Sequence, residues 1–308
     1  MYHFIINPKS CSGKGIRVWW VVKSELDKRK VSYTANFTRH EGHASDISYD
    51  LCKNNSGIKN IIVLGGDGTV NEVINGLHNY KEVLLGYIPS GSSNDLARSL
   101  NIPKDPIKAL DHILNPSKFK YLDHGIITFL DKDINPRKFS CSSGIGFDAS
   151  VCLEAQATSL KNILNRFGLG KLTYLIISIK QIITHKPVDG TIVVDGIKKG
   201  TYKDILMMSN MIHRYEGGGL LIAPDANPSD RKLSICLVHG LSRLKLMMLL
   251  PTLLLGKHIY FKGVEAFNCS NIEIITTRDM AVHTDGEHAA TCSHISITCI
   301  PEQVRMIL

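Results

Sequence analysis

The stretch Ile61-Ile62-Val63-Leu64-Gly65-Gly66-Asp67-Gly68-Thr69-Val70-Asn71-Glu72 contains an apolar run, a glycine turn and the start of a helical pattern. Four consecutive apolar residues, mostly β-branched, are typical of a parallel strand that is covered on both faces. The glycines let the backbone turn sharply, and the free amide groups of the following helix can bind an anion. Asp67 is placed to hold Mg²⁺ on a phosphate, and Thr69 to cap the helix. The stretch therefore predicts a phosphate-binding turn, in preference to an ordinary connection between a strand and a helix.

Two further glycine-containing turns follow strand-like runs on either side of this stretch. Residues 7–15 follow the apolar run Phe4-Ile5-Ile6, and residues 89–95 follow the apolar run 83–88 and open a helical stretch. The first turn matches neither a Walker A loop nor the dinucleotide-binding glycine fingerprint. Repetition of strand, turn and helix predicts a parallel sheet with helices on its faces. In such a sheet all three turns lie at the carboxyl ends of the strands, where ligands bind.

From residue 124 onward the pattern changes to short alternating runs separated by turn residues. The runs lie at residues 191–194, 205–208, 233–238, 272–276 and 294–300, and helical spacing interrupts them at residues 160–183 and 241–255. Such alternation is typical of antiparallel strands. We therefore expect an α/β domain over residues 1–123 and an antiparallel β domain over residues 124–308. Whether the last few residues pack back on the first domain stays open.

The segment Thr284-Asp285-Gly286-Glu287 lies between two of these strand candidates. On an extended segment Asp285 and Glu287 point to the same side, where a carboxylate can take the proton of a hydroxyl group during phosphoryl transfer. The same residues also fit a solvated hairpin turn, in which Asp-Gly is common. Taken by themselves, they leave both interpretations open.

The composition excludes several classes of protein. The 308 residues are 44% hydrophobic and 21% charged, which excludes a disordered chain and a coiled coil. No apolar run approaches the ~20 residues that span a bilayer, and no signal peptide is recognisable, so we expect a cytoplasmic protein. The eight cysteines form no C-x-x-C pair and no zinc spacing, which predicts buried, reduced thiols.

Charge and hydropathy bear on the partners. The net charge of +8 suits nucleotide phosphates, nucleic acid or an acidic membrane surface, without selecting one of them. Residues 246–255 are apolar and are flanked by four basic residues, Arg243, Lys245, Lys257 and Lys262. This segment fits a helix that dips into an anionic leaflet, and it equally fits a helix that packs on the β domain.

The motifs occur in one order that resembles a known family. Residues 7–10 with 13–15, 65–72, 89–98, 144–149, 217–219 and 285–287 together closely resemble the bacterial diacylglycerol kinase-type lipid kinases, which are related to sphingosine kinases. The resemblance implies a phosphofructokinase-like α/β nucleotide-binding domain, an antiparallel β-sandwich domain and an active site in the interdomain cleft. It further implies transfer of the γ-phosphoryl group of ATP, with Mg²⁺, to a lipid hydroxyl group, with diacylglycerol as the expected acceptor and phosphatidic acid as the product.

By position, the resemblance also assigns roles to individual residues. It places the acceptor base at Asp285 or Glu287, the catalytic magnesium network at Asp67 and Asp95, and a structural magnesium site at Asn227, Asp230 and Lys232. The residues that it assigns to the nucleotide site are Asn7, Pro8, Lys9, Ser10, Cys11, Thr38, Gly66, Asp67, Gly68, Thr69, Val70, Asn71, Glu72, Ser92 and Asn94.

Three positions depart from the family pattern. Cys11 replaces a glycine in the first turn, so its backbone has to avoid a positive φ or accept strain. Arg231 replaces the glycine that usually follows the metal-binding aspartate, and Ser92 replaces a threonine while keeping the hydroxyl group.

The resemblance implies a lipid substrate at the membrane surface, with peripheral contact between the protein and the membrane. It implies no nucleic-acid partner and leaves a homodimer open. Two alternatives share the fold: an NAD kinase-like small-molecule kinase, and a non-catalytic lipid-binding regulator.

Overall fold

Contacts divide the chain into two units, and the computed structural model describes residues 1–53, 57–78, 80–157 and 170–308. Unit 1 comprises Met1–His124 together with Pro301–Leu308, and unit 2 comprises Gly125–Ile300. The sequence placed the boundary after residue 123; the division between the units falls after His124, and the residues from Pro301 onward belong to unit 1.

Unit 1 is built on parallel strands. Strands β1 (Tyr2–Ile6), β2 (Tyr33–Phe37), β3 (Lys59–Gly65) and β4 (Val83–Pro89) pair in the order β4-β3-β1-β2. Met306 pairs in parallel with Leu85, on the side of β4 away from β3. Buried residues make up nearly all of β3 and β4, as in a sheet with both faces covered.

The helices of unit 1 follow these strands and fill its core. They are α1 (Ser10–Lys28), α2 (His43–Lys53), α3 (Asp67–Gly76), α4 (Asp95–Ser99) and α5 (Pro106–Leu114). Trp19 of α1 is 2% exposed and packs on Phe4 of β1, with ring centroids 5.4 Å apart. Four of these helices, α1 to α4, begin within six residues of the end of a parallel strand, which places their first turns at one edge of the sheet.

Unit 2 is an antiparallel β-sandwich. Its strands pair in the order β11-β10-β9-β7-β12-β13, β8 pairs with both β12 and β9, and β5 pairs with β6. The residues between its layers are almost fully buried; examples are Ile127, Ile205, Ile235, Ile274 and Ile295. The strand bounds are β5 (Phe119–Phe129), β6 (Arg137–Phe139), β7 (Ser142–Gly146), β8 (Val188–Val194), β9 (Ile197–Met211), β10 (Leu233–His239), β11 (Val264–Cys269), β12 (Asn271–Thr284) and β13 (Glu287–Ile307). The first residues of β5 and the last residues of β13 belong to unit 1.

The helices of unit 2 are α6 (Phe147–Ala157), α7 (Gly170–Thr184) and α8 (Arg243–Leu249). The start of the helix expected over residues 160–183 lies outside the described residues. The helix expected over residues 241–255 is shorter, because a 3₁₀ helix replaces it at Leu250–Leu255. A second 3₁₀ helix follows at Lys257–Tyr260. Pro251 has no N–H to donate within an α-helix, which explains the change of helix type. In the described part of the chain, no helix is long and apolar enough to cross a membrane.

Candidate functional site

The glycine turn after β3 leads directly into α3. Gly66 occupies the cap position in an extended conformation, and Asp67 is the first helical residue. The Asp67 carboxylate accepts hydrogen bonds from the backbone N–H groups of Asp95 (2.9 Å) and Leu96 (3.2 Å). Asp67 therefore links this turn to the start of α4, which gives its carboxylate a structural role.

The expectation that Thr69 caps α3 is wrong. Gly66 holds the cap position, which has no side-chain hydrogen bond, and Thr69 lies within the helix. The Thr69 Oγ1 instead accepts a hydrogen bond of 3.1 Å from Asn7 Nδ2. Thr69 thus joins the turn after β3 to the turn after β1.

The turn after β4 approaches the turn after β3 very closely. The backbone N–H of Ser90 donates to the carbonyl oxygen of Gly65 at 2.7 Å. A Cβ atom added to Gly91 would lie 2.6 Å from the Gly66 Cα, closer than such atoms approach in proteins. Only glycine at position 91 permits this approach. Asn94 accepts from the Gly91 N–H (2.9 Å) and donates to the Gly91 carbonyl oxygen (2.8 Å), so its amide holds this turn in shape.

The turn after β1 carries backbone strain. Cys11 and Ser12 have φ values of 47° and 55°, and Gly13 follows with 86°. Cys11 therefore accepts the left-handed conformation that a glycine would adopt freely, at a cost of ~1–2 kcal/mol. Ser10 Oγ lies 2.7 Å from Ser90 Oγ, so a hydroxyl–hydroxyl hydrogen bond joins this turn to the one after β4. All three glycine turns are thus linked by hydrogen bonds at the carboxyl ends of β1, β3 and β4.

Other residues assigned to the nucleotide site lie along these turns. Asn7 Oδ1 accepts the Lys9 N–H at 3.1 Å, and the Pro8 carbonyl oxygen accepts the Ile16 N–H at 3.2 Å, so both residues shape the first turn. Ser92 is exposed in the third turn, next to Gly91.

The rest of the assigned set lies on α3 and at the end of β2. Gly68 lies in the first turn of α3, and the next residues are buried, with Val70 in the core. Asn71 Oδ1 accepts from Asn75 Nδ2 at 3.0 Å. Glu72 accepts the Ala44 N–H at 3.0 Å, near the start of α2, where a carboxylate is favourable. The Thr38 N–H donates to the Ile6 carbonyl oxygen at 2.9 Å.

Asp95 is a buried carboxylate at the start of α4. It is 4% exposed, and its Oδ1 lies 2.6 Å from Arg98 Nη1. Asp67 and Asp95 therefore bring two carboxylates to the same pair of turns, one of them neutralised by an arginine. Carboxylate oxygens are the ligands that Mg²⁺ prefers.

In unit 2, the structure confirms the hairpin turn for Thr284–Glu287 and contradicts the alternative of an extended segment. Thr284 pairs with Glu287 across a two-residue turn, in which Asp285 and Gly286 have φ values of 48° and 82°. Positive φ at both central residues is the geometry that Asp-Gly favours in tight hairpins. Asp285 and Glu287 consequently do not share a face of one strand, because Asp285 belongs to the turn and Glu287 begins β13.

The Asp285 carboxylate is a backbone anchor. Its Oδ2 accepts from Ser140 N (2.8 Å) and Oγ (2.9 Å), and its Oδ1 accepts from Cys141 N (2.7 Å) and Ser142 N (2.9 Å). Four donors on one carboxylate hold the hairpin against the chain that enters β7. Glu287, in contrast, has a side chain that is 38% exposed and lies 3.8 Å from Arg137 Nη2.

The residues assigned to a structural magnesium site lie in one loop. Asn227 Oδ1 accepts the Ser229 N–H at 3.3 Å, and Asp230 Oδ1 accepts the Lys232 N–H at 3.0 Å. Between them Arg231 has a φ of 66°. The arginine therefore adopts the conformation that the family's usual glycine would adopt, at the cost of strain.

Sequence reasoning assigned no role to a buried polar cluster in unit 2. His283 is fully buried, with Nε2 2.9 Å from Glu216 Oε1 and 3.4 Å from Asp148 Oδ2. Burial alone would lower the pKa of His283, but the Glu216 and Asp148 carboxylates raise it well above its usual value. The backbone N–H of Gly286 points at the other ring nitrogen, 3.3 Å away. The cluster thus supports the hairpin that carries Asp285. The sequence pointed to this cluster only through Asp148, which lies in the motif over residues 144–149.

Comparisons with known proteins agree with this architecture. Residues 1–123 match the family model of the diacylglycerol kinase catalytic domain, and residues 143–308 match that of the YegS C-terminal NAD kinase beta sandwich-like domain. These matches confirm the expected fold class.

Individual relatives and solved structures match most of the chain. It is 32% identical over 292 residues to the "Putative lipid kinase YtlR" of Bacillus subtilis, covering 94% of each protein. It is 28% identical over 247 residues to a diacylglycerol kinase of Mycobacterium tuberculosis, covering 80% of this chain and 76% of the relative. A crystal structure described as "a putative diacylglycerol kinase from Bacillus anthracis" shares the fold, with a TM-score of 0.74 at 22% identity over 99% of this chain and 96% of that one.

Proposed function

This chain belongs to the family of bacterial diacylglycerol kinase-type lipid kinases, and on that premise we propose that it transfers the γ-phosphoryl group of ATP to a lipid hydroxyl group, with Mg²⁺ as the metal cofactor. The proposed acceptor is diacylglycerol, and the product is phosphatidic acid. The name of the Mycobacterium tuberculosis relative, diacylglycerol kinase, supports this choice. We place the reaction at the cytoplasmic surface of the membrane, where a lipid acceptor is presented.

The observation that carries the proposal is the convergence of three glycine turns at the carboxyl ends of β1, β3 and β4. Glycine at positions 66 and 91 lets two of these turns meet without side chains between them, and the N-terminus of α3 favours an anion there. Asp67 and Asp95 supply carboxylates beside this position. The residues present therefore fit a nucleotide phosphate with its magnesium ion. When bound, Mg²⁺ neutralises charge on the phosphoryl group that is transferred.

We propose that Glu287, in preference to Asp285, is the base that accepts the proton of the acceptor hydroxyl group. Both carboxylate oxygens of Asp285 accept hydrogen bonds from residues 140–142, so this carboxylate serves to hold the fold. The Glu287 carboxylate is 38% exposed, so a substrate hydroxyl group can reach it. A positioned carboxylate that accepts this proton contributes ~10²–10⁴-fold to the rate.

We also keep the structural magnesium site at Asn227, Asp230 and Lys232 as part of the proposal. The positive φ of Arg231 supports it, because the loop conformation does not depend on a glycine there. Asp230 would provide a carboxylate oxygen, and the neighbouring backbone would provide carbonyl oxygens, which are the ligand types that Mg²⁺ accepts.

The acceptor is tested with a panel of substrates. The purified protein is incubated with γ-labelled ATP and with diacylglycerol, sphingosine or NAD, the lipids being presented in detergent micelles, with and without Mg²⁺. We expect labelled phosphatidic acid that depends on Mg²⁺. Transfer to NAD alone would contradict the proposal in favour of an NAD kinase-like enzyme. No transfer to any acceptor would favour a non-catalytic lipid-binding regulator.

The base is tested with Glu287→Gln. We expect kcat to fall about 100-fold or more, while the Kd for ATP, measured by titration calorimetry, stays unchanged. Asp279→Asn is the matched control, because Asp279 is 46% exposed and also lies near a basic side chain, with Lys132 Nζ 2.9 Å away. Retained kcat in Glu287→Gln would remove Glu287 from the mechanism.

A further inference from the structure

Unit 2 exposes ten large apolar side chains on two neighbouring segments of its described residues. One segment is α7, and the other runs from α8 through the following 3₁₀ turns to Tyr260; α7 and α8 pack against each other. We call the exposed side chains of these segments the apolar face. They are 37–83% exposed and comprise Leu175, Ile176, Ile179, Ile183, Leu244, Met247, Met248, Leu254, Leu255 and Tyr260.

These side chains are not needed by the core of unit 2. The opposite side of the same helices already fills that core: Ile177 and Ile182 of α7, and Leu246 and Leu249 of α8, are no more than 5% exposed. On α7, Leu175, Ile179 and Ile183 are four residues apart, so they form one stripe along the helix. An apolar stripe of this kind, on a helix whose other side is already packed, marks an interaction surface.

The charge of the two segments indicates what the surface contacts. Residues 170–187 and 241–263 contain seven Lys and Arg residues and no Asp or Glu, although acidic residues make up 28 of the 308 residues in the chain. Lys180 is paired with Glu154 of α6, at 2.5 Å. Arg243, Lys245, Lys257 and Lys262 border the apolar face in sequence, and all four are exposed. Apolar side chains with a basic border and no acidic residue complement an anionic bilayer.

We propose that the apolar face of unit 2 docks on an anionic lipid bilayer, with its apolar side chains in the interfacial region and its basic residues on the headgroups. This inference deepens the proposed function and rests on it for its purpose, because a lipid kinase has to reach an acceptor held in a membrane. The docking itself is a property of unit 2 and needs neither ATP nor catalysis. It can therefore be tested separately from the kinase reaction.

The test is co-sedimentation of the full chain with vesicles, without ATP. Phosphatidylcholine vesicles with 30 mol% phosphatidylglycerol are compared with pure phosphatidylcholine, at low salt and at 0.5 M NaCl, where charge interactions are strongly screened. We expect binding to the anionic vesicles that weakens with salt. Binding that is equal for both vesicle types, or absent from both, would overturn the proposal.

Two matched double variants locate the surface. Leu255→Gln/Lys257→Glu changes an apolar residue that is 69% exposed and a basic residue on the apolar face. Ile197→Gln/Lys198→Glu makes the same changes at the first two residues of β9, where Ile197 is 75% exposed. One basic residue near an anionic surface is worth about fivefold in partitioning, so reversing its charge is worth about 25-fold. We expect at least this loss for the first variant and less than threefold for the second.

Three further measurements separate the outcomes. Circular dichroism spectra and melting temperatures show whether each variant is folded. Sedimentation velocity shows whether the face is instead covered by a second copy of the chain: a dimer that the first variant dissociates, with vesicle binding intact, would overturn the proposal. Phosphorylation of diacylglycerol in detergent micelles reports the proposed function alone. Vesicle binding without kinase activity would therefore support docking while contradicting the kinase reaction.

Discussion

Replacing Asp285 by Asn should destabilise unit 2 rather than only block chemistry. The Asp285 carboxylate accepts four hydrogen bonds at 2.7–2.9 Å, two on each oxygen. An amide keeps one acceptor oxygen and places an NH₂ group against the donors that faced the other. At least two hydrogen bonds to a charged acceptor are lost, and each contributes ~1.5–3 kcal/mol. The expected loss is therefore about 3–6 kcal/mol, against a total stability of ~5–15 kcal/mol for a typical domain.

The turn itself should not add to this loss. Asn tolerates the left-handed conformation that Asp285 adopts at φ 48°, and Asn-Gly is as favourable as Asp-Gly in this type of turn. Any loss of stability in Asp285→Asn is thus due to the lost hydrogen bonds of the carboxylate. Glu287→Gln is the matched control, since its exposed carboxylate should change stability by no more than about 0.5 kcal/mol.

The assay is urea unfolding followed by two signals. The tryptophan residues of the chain are Trp19 and Trp20, both on α1 of unit 1, so tryptophan fluorescence reports unit 1. Far-ultraviolet circular dichroism reports the strands of both units. We expect the midpoint of the circular dichroism transition to fall for Asp285→Asn and to stay in place for Glu287→Gln. If Asp285→Asn unfolds within 0.5 kcal/mol of the wild-type protein, by the surface range used above, the anchoring role is wrong.

Three further predictions concern other positions. Gly91→Ala should cost ~1–3 kcal/mol of stability and weaken ATP binding about tenfold, because the new Cβ would lie 2.6 Å from the Gly66 Cα. Calorimetry and thermal melting check this. Gly200→Ala is the control, because a Cβ added there would have its nearest neighbour at 3.4 Å. Arg231→Gly should raise the melting temperature, because it relieves a non-glycine residue at φ 66°; a lowered value would contradict this. Burial raises the pKa of the Cys236, Cys269 and Cys292 thiols to about 12. Stability should therefore fall as the pH rises from 9 toward 12, because only the unfolded chain releases these protons above pH 9. Urea midpoints at pH 8 and pH 10 test this, and a higher midpoint at pH 10 would refute it.

Sequence reasoning predicted the elements whose signals are local. The apolar run Ile61–Leu64 is strand β3, and the glycines after it form the turn before α3. Buried parallel strands are recognisable because most of their residues must be apolar, and glycine turns because glycine adopts a sharp turn or a close backbone approach without strain. The same reasoning predicted, from alternation alone, the antiparallel strands of Gly125–Ile300. It did not predict that Met306 pairs in parallel with Leu85.

Sequence reasoning failed where a side chain bonds to a distant part of the chain. The sequence assigned Asp67 to the magnesium ion, and it did not predict that Asp67 accepts the N–H groups of Asp95 and Leu96, 28 and 29 residues away. The Asp285 carboxylate bonds to backbone about 145 residues away, and no spacing in the sequence announces this. The sequence did not predict the His283 cluster either. Glu216 and Asp148 come close to the His283 ring only after the strands of unit 2 have paired.

The pairing of Met306 with Leu85 has a consequence for synthesis of the protein. On the ribosome, β4 is complete at Pro89, but its partner at Pro301–Leu308 follows only after 211 further residues (300 − 89). At ~5–20 residues per second, this takes about 10–40 s. During that time the apolar β4 has an unpaired edge, which is a template for aggregation. A nascent chain stalled before residue 301 therefore keeps this edge unpaired, and a fragment that ends at His124 should aggregate for the same reason.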